Sequence, residues 1–203
     1  MIFSTDLANN VKLSDNGSKF LEAGIHENVK LVSARTAVSI NGNKFIEFTF
    51  EKDGKQLIHT EWEPTARADA DETQNQSKAT NQVTRIMRIL RCFYPKEALN
   101  FSGSSYTDFA NWVVTMLNAA NKETLLRVKA VYNDRGYAVL PSYVKYVAIE
   151  PMEIPMGFYV EGKNDSMISE LSIDQFTKPV IADKEETVTN PLDTTDVPDE
   201  LPF

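Results

Sequence analysis

The chain has 203 residues, enough for one large domain or for one domain with an appendage. Hydrophobic residues make up 42% and charged residues 25%, the balance of a globular protein, and no stretch approaches the roughly 18 apolar residues of a membrane helix. A single cysteine, Cys92, and two histidines, His26 and His59, exclude an internal disulfide, a cysteine-based metal cluster and most zinc sites.

The N-terminus MIFSTDLANN lacks the basic start and apolar run of a secretory signal, so a reducing cytoplasm is the expected setting. The net charge of −8 is unevenly spread. Residues 161–203 hold eleven acids and three lysines, whereas residues 1–160 hold eighteen charges of each sign. A neutral body therefore carries an acidic tail, and blocks of like charge often act as interaction tails.

In chain order, residues 1–23 are polar and mixed and read as an arm with little structure of its own. Residues 25–40 read as one long strand. Ile25, Val29 and Leu31 fall on odd positions and Val32, Val38 and Ile40 on even ones, so a period of two cannot bury both sets. A bulge near Ser33–Thr36 would resolve the conflict and bend the strand. Asn41-Gly42-Asn43 is a hairpin signal. Residues 44–51 then alternate cleanly, with Ile46, Phe48 and Phe50 on the core side. Asp53-Gly54 is a second hairpin turn before a third strand at 55–62.

Residues 64–82 contain no large apolar side chain and read as a solvated loop or a poorly packed first helical turn. Val83, Ile86, Met87, Leu90 and Phe93 recur at helical spacing, which predicts a helix over about 78–93, closed by Pro95. A second helix is expected over 107–120, with Ser105 and Asp108 resembling a capping box. Residues 124–132 return to strand, and 137–149 carry one or two more. Segment 166–176 is apolar enough to pack on the body or pair with a strand edge, and the chain from Lys178 onward reads as disordered.

The order β-β-β-α-α-β-β predicts a mainly β fold with helices: a five-stranded OB-fold-like barrel with two helices inserted between strands 3 and 4, followed by a flexible acidic tail. The domain division is an arm at 1–23, a body at 24–160 and a tail at 161–203. Another small α+β sheet with helices on one side stays open.

The sequence closes on DVPDELPF, an acidic string followed by an apolar tip. An acidic run can meet a basic surface while a terminal aromatic enters an apolar pocket. An OB-fold body with such a tail resembles the single-stranded DNA-binding proteins of bacteria and tailed phages. The segment from Gly24 to Glu51, GIHENVKLVSARTAVSINGNKFIEFTFE, is similar to the N-terminal half of phage-encoded members. The polar loop, the two helices and the neutral body fit the phage type better than the bacterial one. The resemblance implies a non-enzymatic role in phage DNA replication, recombination and repair, in the host cytoplasm and without a cofactor. It also implies that Asp196, Asp199, Glu200, Leu201, Pro202 and Phe203 recruit replication and repair proteins, and that the tail competes with DNA for the groove. A tail reaching a neighbouring protomer would fit a homodimer.

Single-stranded DNA binding needs cations for the backbone and aromatic faces for the bases. Outward positions supply Arg35, Lys44, Phe45, Lys55 and Trp62 on the first three strands, Arg127, Lys129 and Tyr132 on the fourth, and Tyr137, Tyr143 and Lys145 beyond it. Arg127 and Lys129 alternate with Leu126, Val128 and Ala130, so both are expected to point away from the core. Arg85, Arg88 and Arg91 read as a solvated helix face or as contacts to acids. Cys92 reads as core. Two other functions stay open. One is a protein-interaction adaptor that does not bind DNA, favoured by the neutral body. The other is a metal-dependent nuclease using Glu47, Glu51, Glu61 and Glu63, which read more simply as solvated strand positions.

Overall fold

Alternation of buried and outward residues, clean in the second and third strands and interrupted in the first, builds the first half of the body. The computed structural model describes residues 18–66, 68–153 and 166–180. Strands β1 (Gly24–Val38), β2 (Lys44–Lys52) and β3 (Lys55–Trp62) form an antiparallel meander. In β2, Ile46, Phe48 and Phe50 are fully buried while Phe45, Glu47 and Thr49 lie on the other face. The β2–β3 hairpin turns on Asp53 and Gly54, both at positive φ (52° and 76°), as a tight two-residue turn matching strand twist requires.

The β1 ladder with β2 slips between Leu31 and Ser33, one step earlier than the expected bulge, and the ladder with β4 slips again between His26 and Val29. Asn28 sits in this second irregularity at φ 59°. The bulges bring Val29, Leu31 and Ala34 into the core. They do not rescue Val32, which stays exposed at the slip itself, or Val38 and Ile40, which stay exposed at the end of β1 and in the turn after it.

Helix α1 spans Glu72–Arg91, starting six residues before the expected boundary. The Asp71 carboxylate caps it by accepting from the Gln74 amide at 2.7 Å, which satisfies one of the free N–H groups of the first turn. Its opening residues, ETQNQSKATN, are polar all round, so apolar periodicity alone could not find that half. Helix α2 spans Tyr106–Ala119, and Ser105 Oγ accepts from the Asp108 amide at 3.3 Å, as the capping motif predicts. Ile86, Ile89 and Leu90 of α1 and Val113 and Leu117 of α2 pack on Phe48, Phe50, Leu57 and Val128 of the sheet. Burying each such side chain contributes about 1.5–3 kcal/mol.

Strand β4 (Leu126–Tyr132) returns alongside β1, and the short strands β5 (Ala138–Val139) and β6 (Ile149–Pro151) pair with its two ends. Among the described residues the result is one antiparallel sheet of six strands in the order β3-β2-β1-β4-β5, with β6 also on β4, and two α-helices. Two short strands therefore stand where a five-stranded barrel has a single fifth strand. Among the described residues no ladder joins β3 to β5.

Two terminal segments pack on the body, the end of the expected arm against its loose reading and the segment around 166–176 in line with its own. Within the expected arm, the Leu21 amide donates to the Gln56 carbonyl at 2.8 Å and the Gln56 amide to the Lys19 carbonyl at 2.9 Å, and Leu21 is buried. Beyond the sheet, residues 166–180 return to the body. The Tyr132 amide donates to the Gln175 carbonyl at 2.8 Å and Ile168 is buried, so this piece packs on the fourth strand. Most of the expected arm (1–17) and the tail tip, Asp196, Asp199, Glu200, Leu201, Pro202 and Phe203, lie outside the described residues.

Candidate functional site

The outer face of the meander follows from its register. Ala37, Phe45 and Trp62 stand side by side across β1, β2 and β3, and the next row is Arg35, Glu47 and Thr60. Because the alternate residues fill the core, these rows point outward. The Phe45 and Trp62 rings lie 4.5 Å apart at 44°, and Trp62 is 46% exposed. An aromatic pair left on a wet sheet face is not needed by the core. Of the expected cations, Arg35 lies on this face in the next row, where its Nε donates to Glu47 Oε1 at 2.6 Å. Lys44 and Lys55 do not: Lys44 is in phase with Ile46, Phe48 and Phe50 and its Nζ donates to Thr107 Oγ1 at 2.9 Å at the start of α2, while exposed Lys55 is in phase with Leu57 and His59 and sits opposite Lys52 at the far end of the hairpin. The hydrogen bond and charge of Glu47 raise the Arg35 pKa above its ordinary value.

The outer face of β4 is different, and here the expectation is corrected. Lys129 does point away from the main core, but it is fully buried under segment 166–180. Its Nζ donates to Asp174 Oδ2 at 2.8 Å and to the Ser169 carbonyl at 2.6 Å, and lies 5.3 Å from the Tyr143 ring centroid. The Tyr143 hydroxyl donates to Asp174 Oδ1 at 2.8 Å. Burial alone would raise the Asp174 pKa. The Lys129 ammonium, the Leu171 amide and the Tyr143 hydroxyl outweigh it and hold the carboxyl below its ordinary value. Arg127 is mostly buried between Glu150 (2.6 Å) and Glu27 (3.0 Å). Glu150 in turn accepts from Ser166 Oγ at 2.5 Å and from the Met167 amide at 2.9 Å.

Tyr132 is half-buried beside Gln175, Tyr137 is exposed in the turn before β5, and Lys145 lies over the Tyr146 ring at 5.5 Å. Arg35, Phe45 and Trp62 thus share one open face, Lys44 and Lys55 stand on the side of the helices, and Arg127, Lys129 and Tyr143 belong to a covered face.

Trp62 also borders a cleft of about 790 Å³ between β3, the first half of α1 and the residues around β5. Its floor is a buried polar cluster. Glu61 receives Arg85 through two bonds (2.7 and 2.8 Å), His59 Nε2 lies 3.1 Å from its Oε1, and Gln82 Nε2 donates to Oε2 at 3.2 Å. Glu61 is 3% exposed, so its reading as a solvated position is corrected. Desolvation pushes its pKa up, but the Arg85 and His59 bonds prevail and bring it down to about 2. Arg85 is accordingly a contact to an acid, while Arg88 donates to the Val144 and Tyr146 carbonyls. Burial pushes the Cys92 thiol up and leaves it inert.

Comparison of the chain with protein-family models, with curated proteins and with solved structures finds no match.

Among the described residues, no group of three or more His, Cys, Asp or Glu side chains is arranged to hold a metal ion. Nor is any helix among them long and apolar enough to cross a membrane.

Proposed function

We propose that this protein binds single-stranded DNA, without reading its sequence, along the outer face of β1–β3. The observation that carries the reading is the exposed Phe45–Trp62 pair with Arg35 in the next row of the same face. Stacking is open to unpaired bases of any identity and contributes roughly 1–3 kcal/mol per base. Duplex DNA hides those ring faces, so the same surface would favour single strands. A phage replication, recombination or repair setting and an OB-type barrel accord with the resemblance of Gly24–Glu51 and of the terminal DVPDELPF to phage-encoded single-stranded DNA-binding proteins.

The acidic tail extends the proposal. A tethered run of negative charge stays at high effective concentration near a cationic face and competes with DNA there. Its tip, Asp196 to Phe203, would recruit replication and repair proteins. Removing residues 178–203 takes away more acids than lysines and leaves Asp174 in position. DNA affinity of the truncated protein is expected to rise, most at low salt.

A protein-interaction adaptor is the second reading, favoured by a specific observation. Arg35, Arg85, Arg127 and Lys129 are all engaged by carboxylates, which lowers the number of cations free for phosphates. Fluorescence polarisation with labelled oligothymidine and with a duplex of equal length separates the two. Tighter binding of the single strand, weakened by Trp62→Ala, supports the first reading. No binding of either DNA overturns it in favour of the adaptor.

A further inference from the structure

The first half of α1 presents a problem that the core does not solve. A helix lying against a sheet normally turns an apolar stripe inward. Residues 72–82 have none, yet Gln74, Ser77, Lys78, Asn81 and Gln82, at helical spacing, line the cleft opposite β3. The cleft volume of about 790 Å³ is that of a small-molecule site. Among the described residues, the side chains of Gln74, Ser77 and Asn81 have no hydrogen-bond partner, so their donors and acceptors are free to meet a ligand.

The charges of the cleft describe that ligand. Arg85 is engaged by Glu61 and by the Ser142 carbonyl, while exposed Lys78 makes one long bond, 3.4 Å, to the Thr65 carbonyl. Glu61 and Glu63 disfavour an anion inside the cleft. A phosphate would therefore meet a cation only at Lys78. A neutral, planar group with polar edges does fit: one face against Trp62 and the edges toward amides and hydroxyls that each offer donors and acceptors. Trp62 belongs to both surfaces, as one half of the exposed aromatic pair and as a wall of the cleft.

We infer that the cleft is a base pocket, in which one unstacked base of a bound single strand leaves the Phe45–Trp62 platform and docks between Trp62 and Asn81. This rests on the single-strand reading above and adds a second kind of contact to it. Amides and hydroxyls can serve any base, so the pocket adds affinity without strict sequence choice. The phosphates stay outside, with exposed Lys78 the cation that the cleft offers them.

The test uses the full chain and two labelled strands of about 15 nucleotides, within the range such proteins occupy. One is oligothymidine and the other is an abasic strand with the same phosphates. Asn81→Leu and Ser77→Leu fill the cleft at exposed helical positions, where leucine is a good helix former. The wild type is expected to bind oligothymidine more tightly than the abasic strand. Each variant should lose about tenfold on oligothymidine, the worth of roughly one base contact, and nothing on the abasic strand. Unchanged oligothymidine affinity in both variants overturns the pocket and leaves the platform standing. An equal loss on both strands also overturns it, because the effect would then not involve a base. Failure of the wild type to bind either strand overturns the single-strand reading itself.

Discussion

The outer faces of β2–β3 and of β4 begin from the same pattern, basic and aromatic residues alternating with core residues, and end as different objects. On β2–β3 the alternation leads to solvent: Trp62 is exposed, and the Arg35 side chain is held only at its edge by Glu47. On β4 it leads into a second, smaller interior, because segment 166–180 lies over Lys129 and supplies Asp174. Alternation fixes the direction of a side chain relative to the main core. It does not say what a distant part of the chain will lay over that direction.

Four expected outcomes break or sharpen this contrast. The largest concerns the covered face. Asp174→Ala leaves the Lys129 ammonium buried without its carboxylate, and breaking such a pair costs about 3–5 kcal/mol. Arg35→Ala on the open face should stay within about 0.5 kcal/mol. Urea unfolding of the two variants measures the difference, and equal small losses would mean that the cover is loosely held.

Acid should act on the buried carboxylates in the same sense. Glu61 has its pKa lowered from 4.5 to about 2, and that of Asp174 is lowered too. A group depressed in the folded state contributes stability that is fully present above its unfolded pKa. For Glu61 that contribution is lost as pH falls from about 4.5 towards 2. Stability measured between pH 5 and 2 should fall, and Glu61→Gln should flatten the fall at the cost of a less stable protein at neutral pH.

Trp62→Ala should weaken oligothymidine binding by roughly tenfold, within the usual worth of a stacked base, with little change in thermal midpoint. Global unfolding of this variant would instead make Trp62 a structural residue. The smallest effect separates the cations. Arg35→Ala should lower the salt slope of binding by about 0.7, the share of one phosphate contact on a single strand, and Arg127→Ala should leave the slope unchanged. A reduced slope for Arg127→Ala would place DNA on the face taken here as covered.

The sequence made much of the fold legible because its signals were local. The alternation of Ile46, Phe48 and Phe50, the Asp53-Gly54 turn and the Ser105 cap all act within a few residues. The polar start of α1 escaped because its capping residue, Asp71, precedes a stretch without apolar periodicity. The burial of Lys129 escaped because its partner, Asp174, lies 45 residues away. Glu61 escaped because its reason for being buried, Arg85, sits on a helix that packs across β3. The open half of the site was readable for the opposite reason: Phe45 and Trp62 need only the register of one hairpin.

The central claim is that DNA lies on the open face and not on the covered one. Amide and indole NMR shifts of the full-length protein, titrated with oligothymidine, test it most directly. The account predicts saturable shifts at the Trp62 indole and at the Phe45 and Arg35 amides, with Arg127, Lys129 and Asp174 unmoved. Shifts confined to β4 and segment 166–180, or no shift at Trp62 while the strand is bound, would contradict it.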